Sequence, residues 1–417
     1  MDNIFTYNAS WTIPANEICG SQEFPGTLSF QGDKETVLEL INEPYFGSIK
    51  FKPYYEVIWG TDARMQKYTL FGATMIPDNG FTRFSFSILY VLIGEHVKSL
   101  EDKCFGACTV KYPFLNRWAI DSRISEERQH NKTHYSLDFG ERPPFFSVMI
   151  EENVEVALCS QLTNDNTRCS IEVNQITYLA IKSSVDISIG SLIRYVIEFS
   201  QFLSIALFSE QHPTAFYLYD NKTKMNYPLL FNRIASADPM ELSLIKFNDL
   251  KDRLPALYTN WHNSFNHIQP ICNYLIRSIQ YKSSFDAPDF LIVAQALDGY
   301  FKRFVNKKNG KDYQKYKDQI DILLKEFKDV EMVERCNLNS SVLEQTRHKY
   351  SHLIPDDDKK ITEAVAGEEL YWLTQKCIVL LACCILDMLG LTKDEINLCC
   401  ENSPLQQIVN SFPIWLE

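Results

Sequence analysis

The sequence predicts an α+β chain of more than one domain. An antiparallel, β-sandwich-like domain is expected over residues 1–187, a mixed helical and strand connecting region over 188–254, and an all-α helical bundle over 255–417. Three observations predict it. Apolar residues recur with period two through the first 185 or so residues, the period changes to that of a helix at Ser188, and no strand alternation returns after about 255.

The strands come first. Leu28 and Phe30, Leu38 and Leu40 on either side of Glu39, Phe84 with Phe86 and Ile88, and Ile171 with Val173 each alternate apolar and polar positions. Turn chemistry separates them: Pro25-Gly26 ahead of one strand, Gln31-Gly32-Asp33 after it, and Asp78-Asn79-Gly80 before a long strand at 82–92. Many short strands joined in this way make a sandwich or a barrel.

From Ser188 one stripe, Leu192, Val196, Phe199, Leu203 and Ala206, follows helical spacing. A strand pair then covers Ala215 to Tyr219 and Tyr227 to Phe231 around the turn at Asn221. Beyond 255 the stripes are Leu291, Ala294, Leu297, Phe301 and Phe304, then Tyr316, Ile320, Leu323, Leu324 and Phe327, with Asn309-Gly310 as the stop between them. A third helix is expected from Ser341 to about Ser351, capped by Ser340 or Ser341 and ended near His352 because Pro355 holds Ile354 extended. The fourth, from about Thr362 to Gly390, is apolar nearly all round after Leu370 and reads as the central helix of the bundle.

Length and composition exclude whole classes. The 417 residues, 45% hydrophobic and 23% charged, are those of a globular chain long enough for two or three cores. The net charge of −12 has the wrong sign for non-specific binding to a polyanion, so any nucleic-acid contact must be local. That charge is uneven, with 21 basic against 30 acidic residues up to 250 and 20 against 23 after it. Residues 1–14 lack a basic region followed by an apolar run, and the longest apolar stretch, Cys377 to Leu386, is about half of what a membrane span needs. A cytoplasmic protein without membrane contact is expected, which suits twelve cysteines that include the adjacent pairs 383–384 and 399–400. Cys104-x-x-x-Cys108 resembles ligand spacing but lacks a partnering pair, so neither a metal nor a cofactor is expected. Phosphate-binding glycine loops, the nucleophile-elbow motif, the zinc-protease motif and the dinucleotide fingerprint are all missing from the sequence.

Chemistry concentrates in Thr346-Arg347-His348-Lys349-Tyr350-Ser351-His352. Two of the eight histidines lie here, with an arginine, at the end of a helix in an acidic chain. Histidine transfers protons near neutrality, and arginine neutralises phosphate or a developing phosphorane, so the set suits phosphodiester cleavage. The plainer reading is a solvated helix end, where cations meet the macrodipole favourably. Helical geometry sets Arg347 and His352 about 140° apart, so they converge if the helix end distorts or if a second subunit contributes.

Arg347-x4-His352, on the third of four helices and followed by a long apolar helix, resembles the Arg-x4-6-His signature of HEPN domains, with His348 at the variable polar position after the arginine. The whole layout, including the strand Pro25-Gly-Thr-Leu-Ser-Phe-Gln-Gly32, resembles the ApeA-like proteins of bacterial anti-phage defence. The resemblance implies an endoribonuclease of abortive infection that works without a metal and leaves 2′,3′-cyclic phosphate and 5′-OH ends. It implies His352 as general base and acid, Arg347 as the stabiliser of the phosphorane, and His348 as the holder of the scissile phosphate. It further implies an RNA substrate, with tRNA among the candidates, a phage-derived trigger, and a homodimer or higher homo-oligomer whose motifs face one another.

Around the motif other residues stay open between two roles. Asp298 interrupts an apolar stripe and either pairs with Arg347 or is an exposed helix carboxylate. Lys302, Arg303, Lys307, Lys308 and Lys311, with Lys315 and Lys317, form an RNA-guiding surface or a solvated junction between helices. Lys349 and Tyr350 are further candidate RNA contacts, although Tyr350 at helical spacing suits the core. The alternative to an enzyme is a non-catalytic HEPN scaffold used for dimerisation, with the β-sandwich binding a ligand or a phage product.

Overall fold

A computed structural model of the chain describes residues 5–14, 21–41, 51–77, 83–120, 124–129, 132–137, 140, 142–166, 171–232, 234–239, 242–280, 286–306, 315–355 and 361–413. The turn at Asp78-Asn79-Gly80, the stop at Asn309-Gly310 and the basic residues Lys307, Lys308 and Lys311 lie outside them. The chain divides into two compact units. One holds 1–116, 120–197 and 212–236, the other 117–119, 198–211 and 237–417. Segment 188–254 is thus shared, giving its two strands to the first unit and its remainder from 237 to the second.

The first unit is antiparallel throughout. Its barrel strands are β1 (Phe5–Ile13), β2 (Gln22–Phe30), β3 (Thr36–Ile41), β4 (Tyr54–Asp62), β5 (Lys67–Ile76) and β6 (Arg83–Ile88), in the order β5-β4-β1-β2-β3-β6, and β6 pairs back onto β5 to close the ring. Of the alternating positions read from sequence, Leu28, Leu38, Leu40, Phe86 and Ile88 point inward, and with Trp11, Ile58 and Leu70 they form one buried cluster that fills the barrel. Gly60 has no room for a side chain, since a Cβ there would stand 2.3 Å from the Trp11 ring.

The rest of the sheet leaves the barrel through β5. Its free edge carries β7 (Tyr90–Ile93) along Tyr68–Phe71 and β6 along Thr74–Ile76. Gly72, at φ +66, sits at the switch, and a Cβ there would strike Leu89, the residue that splits the expected strand at 82–92 into two. The outside strands continue as β15 (Asn226–Phe231), β14 (Ala215–Tyr219), β8 (Lys103–Lys111), β13 (Ile171–Ser188), β12 (Val154–Asn166) and β11 (Phe146–Glu151), while β9 (Ile124–Gln129) and β10 (Lys132–Leu137) form a separate hairpin. The sandwich-like domain is therefore a closed barrel with an open extension, because one edge of β5 serves two partners.

The second unit is helical. The helix α1 (Ile189–Leu207) begins in the first unit and ends in this one, followed by α2 (Leu254–Gln280), α3 (Ala287–Tyr300), α4 (Tyr316–Glu326), α5 (Glu331–Cys336), α6 (Ser340–Ser351), α7 (Gly367–Met388), α8 (Lys393–Cys400) and α9 (Pro404–Asn410). A π-helical turn, Phe301–Val305, extends α3. The stripes at 291–304 and 316–327 land on α3 and α4, and α7 is the buried central helix, starting five residues later than expected at Gly367. By length and composition α1 and α7 could each cross a membrane, but both are mostly buried within the protein, as core helices are. Sequence reading missed α2, the longest helix described. Its stripe, Leu257, Trp261, Phe265, Ile268, Cys272 and Leu275, is regular, but Pro270 interrupts it as a break would.

Candidate functional site

The motif helix α6 is defined at both of its ends. Asn339, rather than Ser340 or Ser341, caps it, accepting from the amides of Ser341 at 2.9 Å and Val342 at 3.3 Å. On one side the segment 361–365 folds back along it. Gln345 Oε1 accepts from the amides of Thr362 and Glu363, the Val365 amide donates to Thr346 Oγ1 at 3.2 Å, and Tyr350 OH donates to Val365 O at 3.2 Å. Tyr350 is thereby tied to this side, with its ring edge-on to Phe290.

The helix stops in a Schellman-type turn. His352 has left helical geometry (φ −110, ψ 5), Leu353 is left-handed at φ +50, and the Ile354 amide donates to Lys349 O at 2.9 Å. His348 and His352, one turn apart, bring their rings to 4.7 Å between centroids. Both rings are exposed, whereas Arg347 is half-buried.

Two groups hold Arg347. Its Nη2 donates to Asp298 Oδ2 at 3.3 Å, and the same oxygen takes Lys302 Nζ at 2.9 Å. Its guanidinium lies over the Tyr316 ring, 4.4 Å from the centroid. Tyr316 is itself buried, its hydroxyl donating to Ala294 O at 3.0 Å, and burial pushes its phenol well above the usual range. Asp298 is therefore the acidic partner of Arg347 rather than an exposed carboxylate.

Arg347, His348, Ser351 and His352 line one open cavity of about 500 Å³, with Tyr316 and Lys315 on its other wall. The angle between Arg347 and His352 does not keep them apart. Measured from His348, Arg347 lies about 100° to one side and His352 about 40° to the other, so the three span a single concave wall. A long arginine laid against Tyr316 reaches the same space as a histidine at the frayed end. Of the two conditions set from the sequence, the first is met, since the helix end unwinds at His352 and the three residues line one cavity.

The remaining expected residues are placed differently. Lys302 turns to Asp298, Arg303 donates through Nη1 to His267 O at 2.6 Å, and Lys349 does not line the cavity. Lys315 does line it, and the signal for it was its membership of the basic run. Sequence reasoning missed Tyr316 as part of the site, because its position in an apolar stripe assigned it to the core. Among the described residues no group of three or more His, Cys, Asp or Glu is placed to hold a metal ion. A second cavity of about 330 Å³, between Phe208, Tyr371, Trp372, Ile378, Pro404 and Ile408, is more apolar, and no histidine or arginine lines it among the described residues.

Comparison with known families matches residues 6–261 to ApeA N-terminal domain 1 and residues 324–395 to Apea-like HEPN, the latter containing all of α6 and α7. Neither a curated protein nor a solved structure matches the chain.

Proposed function

Because the chain belongs to the ApeA family and carries an Apea-like HEPN region across the motif helix, we propose that it is an endoribonuclease of bacterial anti-phage defence. The observation that carries this reading is the meeting of Arg347, His348 and His352 on the wall of one cavity.

The chemistry follows from those groups. His352 takes the proton of a ribose 2′-OH as its oxygen attacks the adjacent phosphorus, then returns a proton to the departing 5′-oxygen. The P–O5′ bond breaks as the P–O2′ bond forms, so a 2′,3′-cyclic phosphate and a 5′-OH result with no water consumed. Arg347, already oriented by Asp298 and Tyr316, meets the charge that gathers on the phosphorane, and fixed charge of this kind avoids reorganisation during the step. His348 donates to the scissile phosphate. The reaction takes no part from a metal, and the enzyme acts in the cytoplasm as a homo-oligomer released by a phage product.

Growth of cells expressing wild type, Arg347→Ala or His352→Ala under phage challenge, with total RNA resolved on a gel, tests the reading. Protection and new RNA fragments are expected from wild type alone, and purified wild type is expected to cleave RNA equally with and without EDTA. Equal protection by all three proteins at matched levels would make the motif structural.

A further inference from the structure

Arg347 is held by more than its carboxylate, and both of its holders are set by one face of α3. Asp298 comes from this helix directly. Tyr316, the first residue of α4, is anchored through its hydroxyl to Ala294 O, and Ala294 stands one turn before Asp298. The helix α3 thus aims an anion at one edge of the guanidinium and a ring at its face.

We propose that Tyr316 is a positioning residue of the ribonuclease, a fixed aromatic plate that holds the Arg347 guanidinium in the plane from which it meets the phosphorane. The inference rests on the ribonuclease reading above. An arginine side chain is free about several bonds, and ordering it only as charge develops would raise the barrier. Asp298 alone cannot set the plane, since its Oδ2 is shared with Lys302 and offers Arg347 one contact at 3.3 Å. Stacking on the ring supplies the missing restraint and leaves the other guanidinium N–H groups for the cavity. The ring is a dependable support, because Tyr316 is 7% exposed and its hydroxyl hydrogen is committed to Ala294. That commitment, with the raised phenol, leaves Tyr316 no role as an acid.

The test compares the full-length wild type with Tyr316→Phe and Tyr316→Leu, cleaving a fluorophore-labelled RNA of mixed sequence. Phe keeps the plate and Leu keeps the apolar volume without it. Tyr316→Phe is expected within about twofold of wild type, and Tyr316→Leu is expected to lose about tenfold in kcat with KM changed less than twofold. Selective arginine labelling gives a readout that packing alone would not move. The Arg347 guanidinium protons, assigned by their loss in Arg347→Lys, are expected to show an upfield ring-current shift in wild type and Tyr316→Phe and none in Tyr316→Leu. The proposal is overturned if Tyr316→Leu keeps its kcat, if Tyr316→Phe falls as far as Tyr316→Leu, or if the ring-current shift survives in Tyr316→Leu. A wild type that cleaves no RNA under any of these conditions instead overturns the ribonuclease reading, and this inference with it.

Discussion

Replacing Asp298 by Asn separates the electrostatic role of the carboxylate from its shape. The carboxylate is 12% exposed and touches two cations through one oxygen, Lys302 at 2.9 Å and Arg347 at 3.3 Å. Lys302 is more than half exposed, so this i,i+4 pair contributes about 0.3–0.5 kcal/mol after screening. Arg347 is one-third exposed, and its charge-assisted contact, discounted for that exposure, contributes about 1 kcal/mol. A total near 1.5 kcal/mol lowers the melting temperature of a helical unit of this size by about 3–6 °C. Thermal melts at low and high salt should show that shift, with the Lys302 part shrinking as salt rises. On activity, under the ribonuclease reading, Asp298→Asn loosens Arg347 and lowers kcat by about tenfold, while removal of a negative charge beside the cavity proposed to take the phosphate leaves KM unchanged or lower. Unchanged melting with unchanged kcat would refute the pairing. A several-fold rise in KM at intact kcat would instead place Asp298 in contact with RNA.

Two further substitutions probe the frame of each unit. Leu353 stands at φ +50 with 87% of its surface exposed, so Leu353→Gly should relieve left-handed strain without losing packing and stabilise by about 0.5–1 kcal/mol; a lower melting temperature would mean that the side chain is covered in solution. Gly60→Ala puts a methyl group against the Trp11 ring and should destabilise the barrel by about 1–3 kcal/mol, and melting within 1 °C of wild type would contradict the packing of the barrel interior.

The fold class was legible because its signals are periodic. Alternation placed Leu38, Leu40, Phe86 and Ile88 in one core, and helical spacing located α1, α3, α4 and α7 to within a few residues. What periodicity lacks is closure. Whether six strands make two faces or a ring depends on one edge of β5 accepting both β6 and β7 about Gly72, and a lone glycine in a strand does not announce that. The helix α2 was lost for the opposite reason: Pro270 is a strong local signal, and tertiary packing of Trp261, Phe265 and Ile268 outweighs it.

The candidate site was legible as a set of residues and illegible as a geometry. Arg347, His348 and His352 drew notice through residue type and spacing. Their convergence depends on features outside the motif: an Asn339 cap that sets the helix start, a Schellman turn that releases His352, and a tyrosine on another helix that gives Arg347 its direction. The basic run shows the same limit from the other side. Counted as charges, Lys302 and Arg303 looked equivalent to Lys315 as guides for RNA, yet folding commits the first to Asp298 and the second to a backbone carbonyl. Lys302 therefore acts on the candidate site through the carboxylate it shares with Arg347 rather than as a cation lining the cavity. On the ribonuclease reading proposed above, a chain of net charge −12 would then rely for RNA capture on phosphate contacts close to the motif, where the placing of Arg347 counts most.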